Sequence, residues 1–455
     1  MKKMDMTHGS IGNKTLSFAL FLAVTGFLQQ IFNVIDTVIM GQFVGKEAMA
    51  AVGSNGPVIG FLVTLFFGIA LGSNVVISQF TGQRNKEGIE RAVHTAILFA
   101  AVSGVFLVAF AELSAETILS LLQVPADLMS MSLEYMRIFF FALPGILMYD
   151  FTSAIFRSQG DTRTPLVCLA ISGVLKVIIS YSLVVWAGQG VAAVAISSAF
   201  SQLLSAAMLL YFLAHSHSAI HLSLRKLSID FKILKEILRI GSPAGMQGSV
   251  FCLSNIIIQT AINSLGADVM AASTAAFNLE IMVYILINSF GQTCTTFVGQ
   301  NYGAGDMARC RRVGLITGLQ NLAVTILISI PLYVFGVPLL EIFNSDPAVV
   351  AFGMIRMAYI VLAEPLNLLI EMISGYLRGF GHSLTPALIV VVGICGTRIL
   401  YVMTVFPLSP DFSCLMAVYP LSWLITVIGM VILLFAKRKK YIWGEQGPGK
   451  LEVRS

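Results

Sequence analysis

The same residues return along this chain at a fixed offset of 221 positions. Arg157, Gly160, Thr164 and Pro165 recur as Arg378, Gly381, Thr385 and Pro386. Pro144 recurs as Pro365, and the acid Asp150 as Glu371. Gln79, Gly82 and Arg91 recur as Gln300, Gly303 and Arg312, while Gly45, Met49, Ala50 and Ala51 recur as Gly266, Met270, Ala271 and Ala272. A gapless offset held over so long a stretch makes the chain two copies of one structural unit. In a membrane chain, such doubling is the signature of a transporter and predicts a substrate site between the copies.

The membrane assignment follows from the length of the apolar runs. Apolar residues make up 57% of the chain and charged residues 11%, where a soluble domain carries about a quarter charged residues. The runs reach the roughly 20 residues that cross a bilayer, and they are continuous rather than alternating, which excludes a β-barrel. The first run, from near Leu16 to Met40, is too long for the apolar region of a signal peptide and is read as the first span. Twelve transmembrane helices are predicted, at roughly 15–40, 48–78, 91–111, 129–156, 165–186, 190–214, 239–264, 269–298, 311–341, 348–377, 386–406 and 413–437. The six cysteines are scattered without a CxxC pair and are expected as small buried hydrophobes.

The net charge of +5 says nothing of nucleic acid, and none is expected as a partner. Its distribution gives orientation. Lys2, Lys3 and Lys14 precede span one, Arg84, Lys86 and Arg91 follow span two, and Arg157 and Arg163 follow span four. Arg309, Arg311 and Arg312 follow span eight, and the opposite loops carry Lys46 alone. By the positive-inside rule both termini are cytoplasmic. Arg137 and Arg356, toward the outer ends of spans four and ten, are expected to snorkel outward.

Six spans per half return the chain to its starting side. The halves therefore share one orientation, as two six-helix bundles related by a pseudo-two-fold axis along the membrane normal. The expected division is an amino-terminal lobe at 1–214, a linker at 215–238, a carboxy-terminal lobe at 239–437 and a cytoplasmic tail at 438–455. Leu227 to Arg239 reads either as an amphipathic helix on the inner surface or as a plain connector. Pro144 and Pro365 occupy matching positions, so a bend common to both halves is expected.

Several segments resemble the multidrug and toxic compound extrusion (MATE) family. Asn33-Val-Ile-Asp36-Thr37 followed by Met40-Gly41 is similar to the family's span-one motif. Arg157-Ser-Gln-Gly-Asp-Thr-Arg-Thr-Pro165 and Arg378-Gly-Phe-Gly-His-Ser-Leu-Thr-Pro386 resemble its loops after spans four and ten, and Gln79-Phe-Thr-Gly82 and Gln300-Asn-Tyr-Gly303 fit the ends of spans two and eight. The resemblance implies two six-helix bundles, alternating access, and export of organic cations in exchange for sodium ions or protons. It also implies a cation- or proton-binding role for Asp36. The chain departs from the family at Lys176 and Ser180, where an asparagine and an aspartate are expected, and at Phe21, where relatives often place a proline. A lysine is itself a cation, whereas a hard metal ion needs oxygen ligands, so sodium binding in the amino-terminal lobe is put in doubt.

Ionisable side chains in hydrocarbon cost about 3 kcal/mol each on insertion scales. Asp36, Asp150, Lys176, Glu280, Glu371 and Arg398 fall in the apolar runs. They read as ion-coupling or substrate-binding groups, or as structural pairs of buried charges. Counting helix rise from the loops puts Lys176 within reach of Asp150, with Asp36 as the other candidate, and gives Glu371 and Arg398 a parallel spacing. Two quasi-equivalent pairs, Asp150 with Lys176 and Glu371 with Arg398, are expected. Gln30, Asn33, Asn255, Gln259 and Asn278 are candidate cavity residues, with interhelical hydrogen bonding as the alternative.

These features predict a secondary-active multidrug exporter in a bacterial plasma membrane. It would act as a monomer on amphipathic, cationic small molecules, with H+ or Na+ as coupling ion and no other cofactor. No P-loop motif or enzyme motif is found. A flippase for lipid-linked saccharides is the nearest alternative, and a channel or membrane receptor the next.

Overall fold

The computed structural model describes residues 4–121, 124–216 and 218–437; Lys2, Lys3 and the expected tail at 438–455 lie outside them. Every regular element among the described residues is helical. In chain order these are α1 (Ile11–Ile39), α2 (Lys46–Gly82), α3 (Lys86–Leu121), α4 (Ala126–Phe140), α5 (Leu143–Ser158), α6 (Arg163–Val185) and α7 (Val191–Ala214). The second half contains α8 (Phe231–Asn263), α9 (Ala267–Gly303), α10 (Met307–Val334), α11 (Gly336–Glu341), α12 (Pro347–Ile360), α13 (Glu364–Gly379), α14 (Leu384–Val390), α15 (Thr397–Thr404), α16 (Phe412–Met416) and α17 (Val418–Ala436).

Ten helical stretches among the described residues are long and apolar enough to cross a bilayer, and the bent pair Asp127–Phe140 and Leu143–Ser158 forms an eleventh. The remaining expected span, the seventh, is α8. Its 33 residues suffice in length. However, Lys232, Lys235, Glu236 and Arg239 occupy its first turns, and Ser242, Gln247, Ser249, Asn255 and Gln259 follow, so it is less apolar than the others.

The duplication extends to the backbone. Gly45 and Gly266, which correspond across the repeat, turn the chain into α2 and α9 at φ 119° and 105°. Gly160 and Gly381 both sit at φ 83° in the loops before α6 and α14. These are left-handed values that favour glycine. A polar clamp is repeated too. Asn74 on α2 donates to the Ala154 carbonyl of α5 at 3.0 Å, and Thr295 on α9 donates to the Gly375 carbonyl of α13 at 2.9 Å. Pro144 and Pro365 each lie in the first turn of α5 and α13. There the missing N–H costs nothing while the preceding helix must stop. Spans four and ten are accordingly each built from two helices, with a 42° bend in span four.

The chain separates into two compact units. Among the described residues, the first contains 24–245, and the second 5–23 and 246–437. In the first unit, Gly68 and Gly72 of α2 lie against Gly241 and Gly245 of α8, so closely that a Cβ at Gly68 would stand 2.8 Å from the Ala244 carbonyl carbon. Small residues at such spacing let helix backbones meet. In the second unit, Phe18 of α1 packs edge-on against Phe297 of α9 at 5.6 Å, and Thr15 donates to Gln320 of α10 at 2.7 Å. Helices α1 and α8 thus divide within one residue of equivalent points of the repeat, after Ala23 and Gly245.

The stretch 227–239 is not a separate surface helix. Residues 227–230 are non-helical and 231–239 are the first turns of α8, whose start the Asp230 carboxylate caps by accepting from the backbone N–H groups of Lys232 and Ile233 at 2.9 and 3.2 Å. Lys226 reaches Glu90 of α3 at 2.7 Å, and His94 meets the Ser223 backbone at 3.1 Å, so the connector is fastened to α3.

Candidate functional site

In the first unit, Asp36 near the end of α1 and Lys176 in the middle of α6 form an ion pair. Nζ lies 2.6 Å from Oδ2, with the two side chains 11% and 14% exposed. The other oxygen, Oδ1, is buried without a hydrogen bond, as is the Ser180 hydroxyl one turn further along α6. A π-helical turn at Met40–Val44 follows α1 directly. Such turns insert an extra residue and are frequent at functional positions.

Of the two partners left open for Lys176, Asp150 and Asp36, it is Asp36 that holds it. On α5, Asp150 is followed seven residues later by Arg157. Glu371 has the same arrangement with Arg378, again seven residues on. The repeat thus sets an acid and an arginine seven residues apart on each of α5 and α13, and the expected pairs Asp150–Lys176 and Glu371–Arg398 are not formed.

Arg398 does not pair with Glu371. Its side chain is fully buried, donating from Nη1 to Asn255 Oδ1 of α8 at 2.9 Å and from Nε to Ser422 of α17 at 3.4 Å. The guanidinium lies over the Tyr419 ring at 4.4 Å and the Phe251 ring at 5.0 Å, contacts that stabilise a desolvated cation. A second π-helical turn, Val391–Gly396, immediately precedes α15. It rotates Arg398 relative to an uninterrupted helix.

The fifth span of each half thus directs a cation onto the first helix of that half. Lys176 finds a carboxylate on α1; Arg398 finds an amide on α8.

Arg356 is the second correction. It does not snorkel outward. It is 5% exposed and binds Glu280 of α9, with Nε at 2.6 Å and Nη2 at 2.5 Å from the same oxygen. The Tyr419 ring lies 5.7 Å from the Arg356 guanidinium as well, so one tyrosine stands beside both arginines. Glu364, at the start of α13, is buried and accepts a hydrogen bond from Asn367 at 2.9 Å. Neither Arg356 as a partner of Glu280 nor Glu364 was singled out from the sequence. The signal available was an opposite charge near the outer half of a neighbouring span.

Arg137, by contrast, is half exposed and lies 3.5 Å from Glu112. Among the amides proposed from sequence, Asn255 joins the Arg398 cluster. Gln259 and Asn278 bond within their own helices, to Asn263 and to the Thr274 carbonyl, both at 2.9 Å. Asn33 is exposed and Gln30 half-buried on α1. All six cysteines are free thiols.

A duplicated all-helical chain with apolar spans and opposed charges inside each half belongs to the class of polytopic membrane transporters. The MatE family model matches residues 22–182 and 243–404. The chain belongs to the MatE family. The two matched segments begin 221 positions apart, the offset of the repeat.

Among named relatives, the probable multidrug resistance protein NorM of Thermotoga maritima is 25% identical over 395 residues, covering 86% of this chain and 84% of that protein. The probable multidrug resistance protein YoeA of Bacillus subtilis is 25% identical over 393 residues, covering 84% and 85%. A solved MOP-superfamily transporter from Pyrococcus furiosus, described as having a binding pocket of reverse polarity, shares the fold with a TM-score of 0.87 at 17% identity over 98% of this chain and 100% of that one.

Proposed function

We propose that this protein is a secondary-active exporter that moves amphipathic, cationic small molecules outward in exchange for protons. The observation that carries this reading is the 2.6 Å pair of Lys176 and Asp36. A proton arriving on Asp36 removes its charge and leaves the Lys176 ammonium without a counter-ion. A nearby cationic substrate is then repelled, and at low effective dielectric that repulsion is large. Loss of the proton restores the pair and removes the repulsion. Proton and cationic cargo thus exclude one another, which is the requirement for antiport. Because the Lys176 ammonium already sits on Oδ2 and would repel a metal cation, the site favours a proton over sodium.

The names of the relatives support multidrug export. The basic loops support a multi-pass protein of the bacterial plasma membrane with cytoplasmic termini. A lipid-linked saccharide flippase would use unneutralised cations in a cavity. That reading is less well supported, since Lys176 is matched by Asp36 and Arg398 is enclosed by aromatic rings.

The test is dye efflux from inverted membrane vesicles, driven separately by proton and sodium gradients. Proton-driven movement without sodium-driven movement is expected. Movement driven by sodium alone, or by neither, would reject the reading.

A further inference from the structure

Below the ion pair, α1 and α6 touch through Phe32 and Gly173. The Phe32 side chain is buried at 8% exposure, and its ring occupies the space a side chain at 173 would need. A Cβ on Gly173 would lie 2.5 Å from Cδ2 of that ring and closer still to Cε2 and Cζ. Asp36 is four residues beyond Phe32, and Lys176 three beyond Gly173. On a helix these spacings share a face, one turn apart. The ring-on-glycine contact therefore sets both the separation of α1 and α6 and their register at the next turn, where Nζ meets Oδ2 at 2.6 Å.

We propose that Gly173 and Phe32 are positioning residues for the Asp36–Lys176 pair, which act by fixing the helix spacing that lets the lysine reach the carboxylate. The proposal rests on the reading of that pair as the coupling site. A methyl group at 173 must push the ring aside or drive the helices apart, because interiors are close-packed and overpacking is absorbed by displacement. Either movement is transmitted one turn along. Positioned groups lose much of their effect when shifted by about 1 Å.

The experiment measures proton-driven efflux against pH in proteoliposomes containing Gly173→Ala, Gly173→Ala with Phe32→Ala, and Lys176→Gln. Gly173→Ala is expected to lower the rate about tenfold and to move its pH profile toward that of Lys176→Gln. The double variant, relieved of the clash, is expected to return the profile toward wild type. Phe32→Trp, which loads the same contact from α1, is expected to repeat the shift and serves where Gly173→Ala does not fold. A wild-type profile in both Gly173→Ala and Phe32→Trp, or no recovery in the double variant, would overturn the proposal. If Lys176→Gln itself leaves the profile unchanged, the coupling reading fails; if it changes the profile while Gly173→Ala does not, only the positioning role fails.

Discussion

Lys176 and Asp36 meet at 2.6 Å, 140 residues apart in sequence and largely removed from solvent. Removing one member of a buried pair leaves an uncompensated charge and costs about 3–5 kcal/mol, whereas replacing both by neutral groups of similar size is near neutral. Lys176→Ala is therefore expected to lower the thermal unfolding midpoint of the detergent-solubilised protein strongly. Lys176→Gln combined with Asp36→Asn is expected to restore most of it. Equal losses in the single and double variants would show that the two residues are not coupled.

The Glu280–Arg356 pair is subject to the same test in the second unit. Both nitrogen contacts converge on one carboxylate oxygen. A double-mutant cycle with Glu280→Gln and Arg356→Gln is expected to give a coupling energy of about 1–3 kcal/mol. If Arg356 instead lay at the membrane surface, the coupling would fall to about 0.5 kcal/mol or less.

The crossing of α2 and α8 tolerates no side chain. At Gly245, a Cβ would be 3.0 Å from the Leu65 carbonyl carbon. Gly245→Val is expected to destabilise the protein by about 1–3 kcal/mol through overpacking, read as a lower unfolding midpoint. Gly53→Val, at a position with open space around it, serves as control.

The amino-terminal segment supplies a pH-dependent prediction outside the membrane. Partial burial acts to raise the Asp5 carboxyl, but hydrogen bonds from Thr7 and His8 outweigh it and bring the value from 3.8 down to about 2. The folded value lies below the unfolded one, so the contribution is present above about pH 4 and is lost as pH falls through 2. Amide exchange at Thr7 and His8, whose N–H groups bond Asp5 at 2.9 and 3.2 Å, is expected to gain protection as pH rises through this window, after correction for intrinsic rates. Asp5→Asn is expected to abolish that dependence.

The helices, the repeat and the first-turn prolines Pro144 and Pro365 were legible in the sequence because each depends on local properties: apolar length, a fixed offset, and proline where one helix stops and the next begins. The partners of the buried charges were legible only in part. Pairing depends on helix rotation and on which helices are neighbours, and hydropathy records neither. Depth counted from Pro165 placed Lys176 near Asp150, but rise along an axis says nothing of facing direction. Arg398 shows the difficulty most plainly. The π-helical turn at Val391–Gly396 changes the angular phase between Pro386 and Arg398, so extrapolation at 3.6 residues per turn misses Asn255. Arg356 was placed at the outer surface because it lies toward a span's end, which says nothing of the buried Glu280 carboxylate on the neighbouring helix α9.

The central claim is that Asp36 exchanges its bond with Lys176 for a proton as cationic cargo leaves. Proton release on addition of a cationic dye to lightly buffered, detergent-solubilised protein tests it most directly. The wild type is expected to release protons in proportion to dye bound, and Asp36→Asn, whose Lys176 ammonium has no counter-ion, to bind dye more weakly and release none. Undiminished release from a folded, dye-binding Asp36→Asn variant would contradict the account.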